Sequence, residues 1–203
     1  MTIDLPAVRF QLTRPALVDS VSADRVGERY VGFMEYADSY WQIPMRTKPL
    51  RASELMLVQA FGARARLGKI TVVWRPVDIC LPQAYWGNPG AAAIADDGNL
   101  VSVTNGFTVA INGVVNGVTL MPGDLFSLQK DGYRSLHRVV VGAVAAAGAI
   151  GLTVEPAIPG YITAGAIAKF LNPELNCRVV PGSFVIPDDH KPVVAFTLVE
   201  VPK

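Results

Sequence analysis

The sequence predicts a mainly β protein: a β-sandwich with one α-helix at about residues 52–66, interrupted by a small β-barrel or hairpin module. Three observations predict it. Most of the chain runs in short alternating or β-branched bursts, each ended by Gly, Pro, Asn or Asp, the pattern of many short strands. One segment differs and has helical spacing. Turn signals then follow one another closely between about residues 99 and 170.

The candidate strands, in order, are 8–12, 28–33, 39–44, 69–74, 99–103, 107–111, 125–129, 133–144, 151–155, 166–170, 177–180 and 193–201. The predicted helix, 52–66, lacks Pro, has one Gly, and is rich in Ala, Leu, Glu and Arg. Leu57, Val58, Phe61 and Ala65 share one face at helical spacing. Gly68 supplies a left-handed stop, and Arg64 and Arg66 lie in the last turn, where positive charge is favoured. The start has no good cap, because Arg51 stands where Ser or Asp is preferred.

Asn112-Gly113 and Asn116-Gly117 are turn dipeptides. Pro122-Gly123-Asp124 is a third tight turn and Lys130-Asp131-Gly132 a fourth. They divide 99–170 into a compact barrel or meander. The strong strand at 193–201 needs a sheet to join, and the N-terminal part is its natural host. The predicted units are therefore 1–98 plus 171–203, a sandwich with one helix, and 99–170, the inserted module.

Hydrophobic residues make up 51% of the chain and charged residues 17%, below the usual quarter. This composition either fills a dense core or leaves apolar surface over for interfaces. A formal net charge of +1 gives no bulk attraction to nucleic acid or acidic membranes. No signal peptide is expected from the first 17 residues. The longest apolar run, 139–152, is broken by glycines and is too short to span a bilayer. Cys80 and Cys177 lack zinc-type spacing and are expected to be buried free thiols, with a disulfide between them left open.

Candidate chemistry is sparse. His137 alternates with apolar neighbours and is expected to be a half-exposed strand residue rather than a catalytic base. His190 follows Asp188-Asp189 in a Pro-bounded loop, better read as solvated than as a metal site. Asp96-Asp97 beside Gly98 read as turn formers, and Gly113 and Gly117 as hairpin turns rather than a phosphate cradle. No nucleophile elbow, P-loop or zinc-protease motif is found. No catalytic, cofactor-binding or metal-binding residue is assigned, and no enzyme is expected.

Between Arg46 and Arg75 lie seven Lys/Arg against one acid, Glu54. Contact with an acidic region of another subunit is the favoured reading, with nucleic acid a lesser one; the other is the solvent face of a helix and its neighbouring strands. The pairs Tyr40-Trp41 and Tyr85-Trp86 would each place one ring in the core and one outside if they lie on strands, and burial of both rings is the equal alternative. An exposed ring suits an interface or a sugar platform.

The run Tyr40-Trp41-Gln42-Ile43-Pro44, then Leu50 opening the predicted helix, then Gly68 to Trp74, resembles the N-terminal region of distal tail proteins of long-tailed bacteriophages. The stretch Asn116 to Leu128, with its Gly-Asp turn before Leu125-Phe126, resembles an element of phage tail and tail-tip proteins, followed by a hairpin and a strand ending at Pro156. The resemblance implies a virion structural protein of the tail, made in the bacterial host cytoplasm. It implies a ring, usually of six copies, that joins the tail tube protein to the tail hub or baseplate tip. Partners would be further copies of the chain and those tail proteins, with no membrane, no cofactor and no nucleic acid beyond DNA passing through a lumen. Some such proteins carry a long C-terminal carbohydrate-binding extension, which is not expected of this chain, so a core structural role is expected rather than receptor recognition. A sugar- or cell-surface-binding β-sandwich module is an alternative, as is a capsid decoration or head–tail joining protein.

Overall fold

The computed structural model describes residues 2–27 and 30–203. Strands β1 (Thr2–Asp4), β2 (Ala16–Val26) and β3 (Tyr30–Arg46) precede helix α1 (Ala52–Ala65) and strand β4 (Thr71–Trp74). Then come β5 (Gly98–Thr104), β6 (Thr108–Asn112), β7 (Thr119–Leu120), β8 (Leu125–Lys130), β9 (Tyr133–Val141), β10 (Ala143–Val144), β11 (Ala149–Glu155) and β12 (Ile167–Lys169). Strands β13 (Leu175–Val179) and β14 (Ala195–Glu200) complete the chain. The fold is mainly β with a single α-helix among the described residues, as the sequence predicts.

Six strands form one sheet in the order β1-β4-β13-β14-β3-β2. Within it β1 and β4 pair in parallel, and the other neighbours run antiparallel. The chain leaves this sheet after β4, closes a six-stranded antiparallel barrel in the order β11-β6-β5-β12-β8-β9, and returns at β13. A small ribbon of β7 and β10 sits beside the barrel strands. No helix among the described residues is long and apolar enough to cross a membrane.

One face of the sheet carries its main core, and β4 is buried on both faces. Phe196 and Leu198 of β14, Cys177 and Val179 of β13, Trp41 and Ile43 of β3, and Val72 and Trp74 of β4 share a single core with α1. The second layer of the expected sandwich is thus not another open sheet. It is α1 together with Leu125 and Leu136, which reach the same core from the barrel wall. Trp41 fixes that junction, since its Nε1 donates to the Leu136 carbonyl at 2.7 Å and the Arg138 guanidinium lies 5.0 Å from the ring centre.

The helix packs through Val58, Phe61, Gly62 and Ala65. Phe61 meets the Phe196 ring at 5.7 Å between centroids. Leu57, expected on this face, is exposed instead; the buried stripe follows Val58, Phe61, Gly62 and Ala65, and Leu57 falls outside it. Gly62 is required by close approach, because a Cβ there would lie 2.6 Å from the Phe184 ring. At the N-terminus the backbone N–H of Arg51 donates to Glu54 Oε2 at 2.8 Å. This half of a capping box compensates for the missing cap side chain. Gly68 is left-handed at φ 66° and donates to the Ala65 carbonyl, as expected.

The barrel core is separate. Val109, Ile111, Phe126, Leu128, Val139, Ile150, Leu152, Val154 and Phe170 pack together with their neighbours. Strands β8 and β9 are buried on both faces: Phe126 and His137 pair and look into the barrel, while Leu125 and Leu136 look toward the sheet.

Several expected elements differ. Residues 8–12 do not form a strand, and Phe10 makes a single bridge to Thr47. The strand expected at 133–144 breaks at Gly142, where a Cβ would collide with the Leu120 carbonyl. The described part of the strand expected at 28–33 and the one at 39–44 belong to the single long β3, while Glu28 and Arg29 lie outside the described residues. Strands β1, β2 and β7 are additions to the expected set.

Candidate functional site

Four places bring together side chains with chemical potential. The first lies inside the barrel. His137 is fully buried, not half-exposed as its strand pattern predicts, because β9 has the barrel interior on one face and the sheet core on the other. Its Nδ1 lies 3.1 Å from the Pro156 carbonyl. That carbonyl can only accept, so Nδ1 carries the proton and Nε2 accepts from Ser135 Oγ at 2.8 Å. Burial pushes the imidazole down to about 4, against the pull of the Pro156 carbonyl. A hydroxyl on a neutral imidazole is the first half of a nucleophile–base pair. Here both residues are wholly enclosed and Nδ1 faces a carbonyl rather than a carboxylate, so the two side chains satisfy each other's buried polar atoms. Tyr161 stacks on Tyr133 at 5.1 Å; burial foremost, then the Glu200 carboxylate, pushes the Tyr161 hydroxyl up to about 12.

The second place is the junction of barrel and sheet. Glu174, 6% exposed, accepts from Arg75 Nε and Nη2 at 3.0 and 2.9 Å and from Arg134 Nε at 2.7 Å. Lys169 Nζ is 3.5 Å away. The Glu174 backbone N–H donates to Ser127 Oγ at 3.0 Å. Burial alone would raise this carboxyl, but the hydrogen bonds from Arg134 and Arg75 and the charge of Lys169 hold it below the usual range. The hub ties the segments after β4 and before β13 to β8, β9 and β12. Nearby, Glu200 accepts from the Trp41 N–H at 3.0 Å. Burial pushes it up to about 7 despite that bond.

The third is an open groove of about 530 Å³ lined by Arg14, Asp78, Gln83 and Trp86 among others. Trp86 is 61% exposed and its Nε1 donates to the Leu81 carbonyl. Tyr85 and Trp86 lie on and just after a short 3-10 turn at Gln83–Tyr85, not on a strand. The groove is anchored to the barrel by Asp124, which is fully buried. Its carboxylate accepts from the backbone N–H groups of Gln83 at 2.9 Å and Met121 at 2.7 Å. The Gly-Asp turn therefore closes the loop before β8 and clamps the 3-10 turn to it.

The fourth is the long hairpin of β2 and β3. Near its base Leu17 and Trp41 pair, and Trp41 is buried while Tyr40 points outward, the split expected for that pair. Farther out, Tyr30, Phe33, Met34 and Tyr36 are all about two-thirds exposed or more.

The remaining candidates do not join a site. His190 is exposed in its loop, where its backbone N–H donates to Asp189 Oδ1. Asp96 and Asp97 precede β5 in an exposed bend. Gly113 and Gly117 are left-handed turn residues. Cys80 and Cys177 are free thiols; Cys177 is buried as expected and Cys80 only half-buried. Among the described residues no group of three or more His, Cys, Asp or Glu could hold a metal ion. Comparison of the chain with known protein families and with characterised proteins found no match. Sequence reasoning misses the hairpin arm because residues 18–26 lack apolar alternation. The aromatic run from Tyr30 to Trp41 is the signal that could have found it.

Proposed function

We propose that this chain is a structural rather than catalytic protein, a distal tail ring component of a long-tailed phage that joins the tail tube to the tip or baseplate hub. The observation that carries the reading is the placement of exposed apolar side chains on several distinct parts of the molecule. They occupy the β2–β3 hairpin (Phe33, Tyr36), the outer side of α1 (Met56, Leu57), and the barrel strand β9 (Val141) with the adjoining β10 ribbon (Val144). A subunit contacted by neighbours on several sides buries such surface. The resemblance of residues 40–74 and 116–128 to tail proteins supports the same reading. Asp124, the acidic residue of the resembling element, holds two backbone N–H groups here.

The test is immunogold microscopy of phage particles from cells carrying the gene, with antibody raised against this chain. Label at the far end of the tail is the expected result. Label at the head–tail junction or on the capsid would replace this reading with a joining or decoration role.

A second reading is favoured by the exposed Trp86 beside Arg14, Asp78 and Gln83. An aromatic face bordered by polar groups suits a sugar ring. Quenching or blue shift of tryptophan fluorescence by cell-wall sugars, lost in Trp86→Ala, would support it.

A further inference from the structure

An exposed, acidic aromatic arm and an apolar hollow with a basic rim lie on opposite sides of the molecule. Among the described residues, β2 from Ser20 outward pairs only with β3, and β3 meets β14 no farther out than Gln42. Seven residues of β2, Ser20 to Val26, carry the arm roughly 20 Å beyond the sheet at about 3.3 Å each. On one face of this ribbon Val31, Phe33 and Glu35 alternate, opposite Arg25, Ala23 and Val21. Phe33 is 74% exposed. The arm carries Asp24 and Glu35 against Arg25 among the described residues, and Asp19 and Asp38 stand at its base.

The opposite edge of the same sheet carries a depression of about 230 Å³ between α1 and the N-terminal segment. Its apolar walls include Ile3, Pro6, Leu57, Ala60 and Phe61, and its charged lining residues are Arg64 and Asp4, the latter paired with Arg75. It has room for one aromatic ring. Farther along the helix, Arg9, Lys48 and Arg51 gather around a second depression. Of the acids in these two places, Asp4 is engaged by Arg75 and Glu54 by the Arg51 backbone.

Resting on the ring reading, we propose that the β2–β3 arm of one copy docks on the α1 flank of the next, with Phe33 in the Leu57–Ala60 depression and Glu35 beside Arg64. Charge complementarity selects the occupant: an acidic, aromatic ribbon meets an apolar hollow with a basic rim. Topology makes the contact intermolecular. The arm grows from the β2 side of the six-stranded sheet and the hollow lies at the β1 side, about five strand spacings or ~24 Å away. Donor and acceptor are different surfaces of one chain, so the contact is head-to-tail and propagates until it closes.

The test uses the full chain in a Cys80→Ser background. Phe33→Cys chains are mixed with Leu57→Cys chains, oxidised, and the linked peptides identified by mass spectrometry. The expected result is a mixed disulfide between positions 33 and 57 that outnumbers either homotypic link. Arg64→Glu in the Leu57→Cys chain should cut its yield about tenfold, the effect of 1.4 kcal/mol, and Glu35→Lys in the other chain should recover it. Rings with no 33–57 link would overturn the arm docking and leave the ring reading standing. Monomers with no link would overturn both. Sedimentation of the native chain with phosphatidylcholine vesicles, lost in Phe33→Ser, would overturn the proposal in favour of a lipid surface.

Discussion

Replacing Glu174 with Ala should destabilise the protein more than any other single carboxylate change. The carboxylate is nearly enclosed and answers three cations: Arg75 through two hydrogen bonds, Arg134 through one at 2.7 Å, and Lys169 at 3.5 Å. Removing one partner of a buried ionic cluster leaves the others uncompensated, at a cost of about 3–5 kcal/mol. The cations are partly exposed here, with Arg75 at 47% and Arg134 at 25%, so water relieves part of that cost. The expected loss is therefore about 3 kcal/mol. For a chain of this length it corresponds to a fall in melting temperature of roughly 6–12 °C. The assay is urea unfolding followed by tryptophan fluorescence, with Glu174→Gln as a shape control that loses less. The native carboxyl is held below its unfolded value, so its stabilisation is present above the ordinary carboxyl range and drains away as pH falls. A loss under about 1 kcal/mol, or one independent of acidification, would refute the idea that this hub holds barrel and sheet together.

Two buried groups should shape the pH profile in opposite ways. His137 titrates near 4 rather than 6.5, so its contribution is complete above the unfolded value and is lost as pH falls from 6.5 toward 4, by up to about 3 kcal/mol; urea midpoints at pH 7 and pH 4.5 should show this slope, flattened in His137→Gln. Glu200 titrates near 7 rather than 4.5, so its stabilising protonated form is lost as pH rises through that window. Glu200→Gln, which keeps an acceptor for the Trp41 N–H, should raise stability at pH 8 by about 2 kcal/mol and change little at pH 4. Phe61→Asp should unfold the helix–sheet packing, because it buries an unpaired charge against Phe196; an unchanged melting temperature would place Phe61 outside the core. Gly62→Ala should lower the melting temperature despite alanine's better helix propensity, because the Phe184 ring must move.

The architecture was legible where local chemistry and tertiary demand agree. The helix announced itself by composition and by Gly68, and the turns at Gly113, Gly117, Gly123 and Gly132 marked the barrel strands. Parts that depend on surroundings were not legible. His137 alternates like a half-exposed strand residue, yet β9 is covered on both faces by partners distant in sequence. Strand β1 is three residues long and exists only because β4 offers an edge. The β2–β3 arm is exposed on both faces, so the alternation that reveals a half-buried strand is missing along β2. The ionic hub was invisible for a similar reason: Arg75, Arg134, Lys169 and Glu174 lie on four separate segments that meet only once the barrel closes. The basic stretch from Arg46 to Arg75 also divides, with Arg75 turning inward to Glu174 and Arg51 and Arg64 remaining on the α1 flank.

The most direct test of the central claim is the solution mass of the purified chain by light scattering, with negative-stain imaging of any large species. A closed ring of identical subunits, at a whole-number multiple of 21.7 kDa, is the predicted result. A single species of 21.7 kDa at the highest soluble concentration, with no rings in the images, would contradict it.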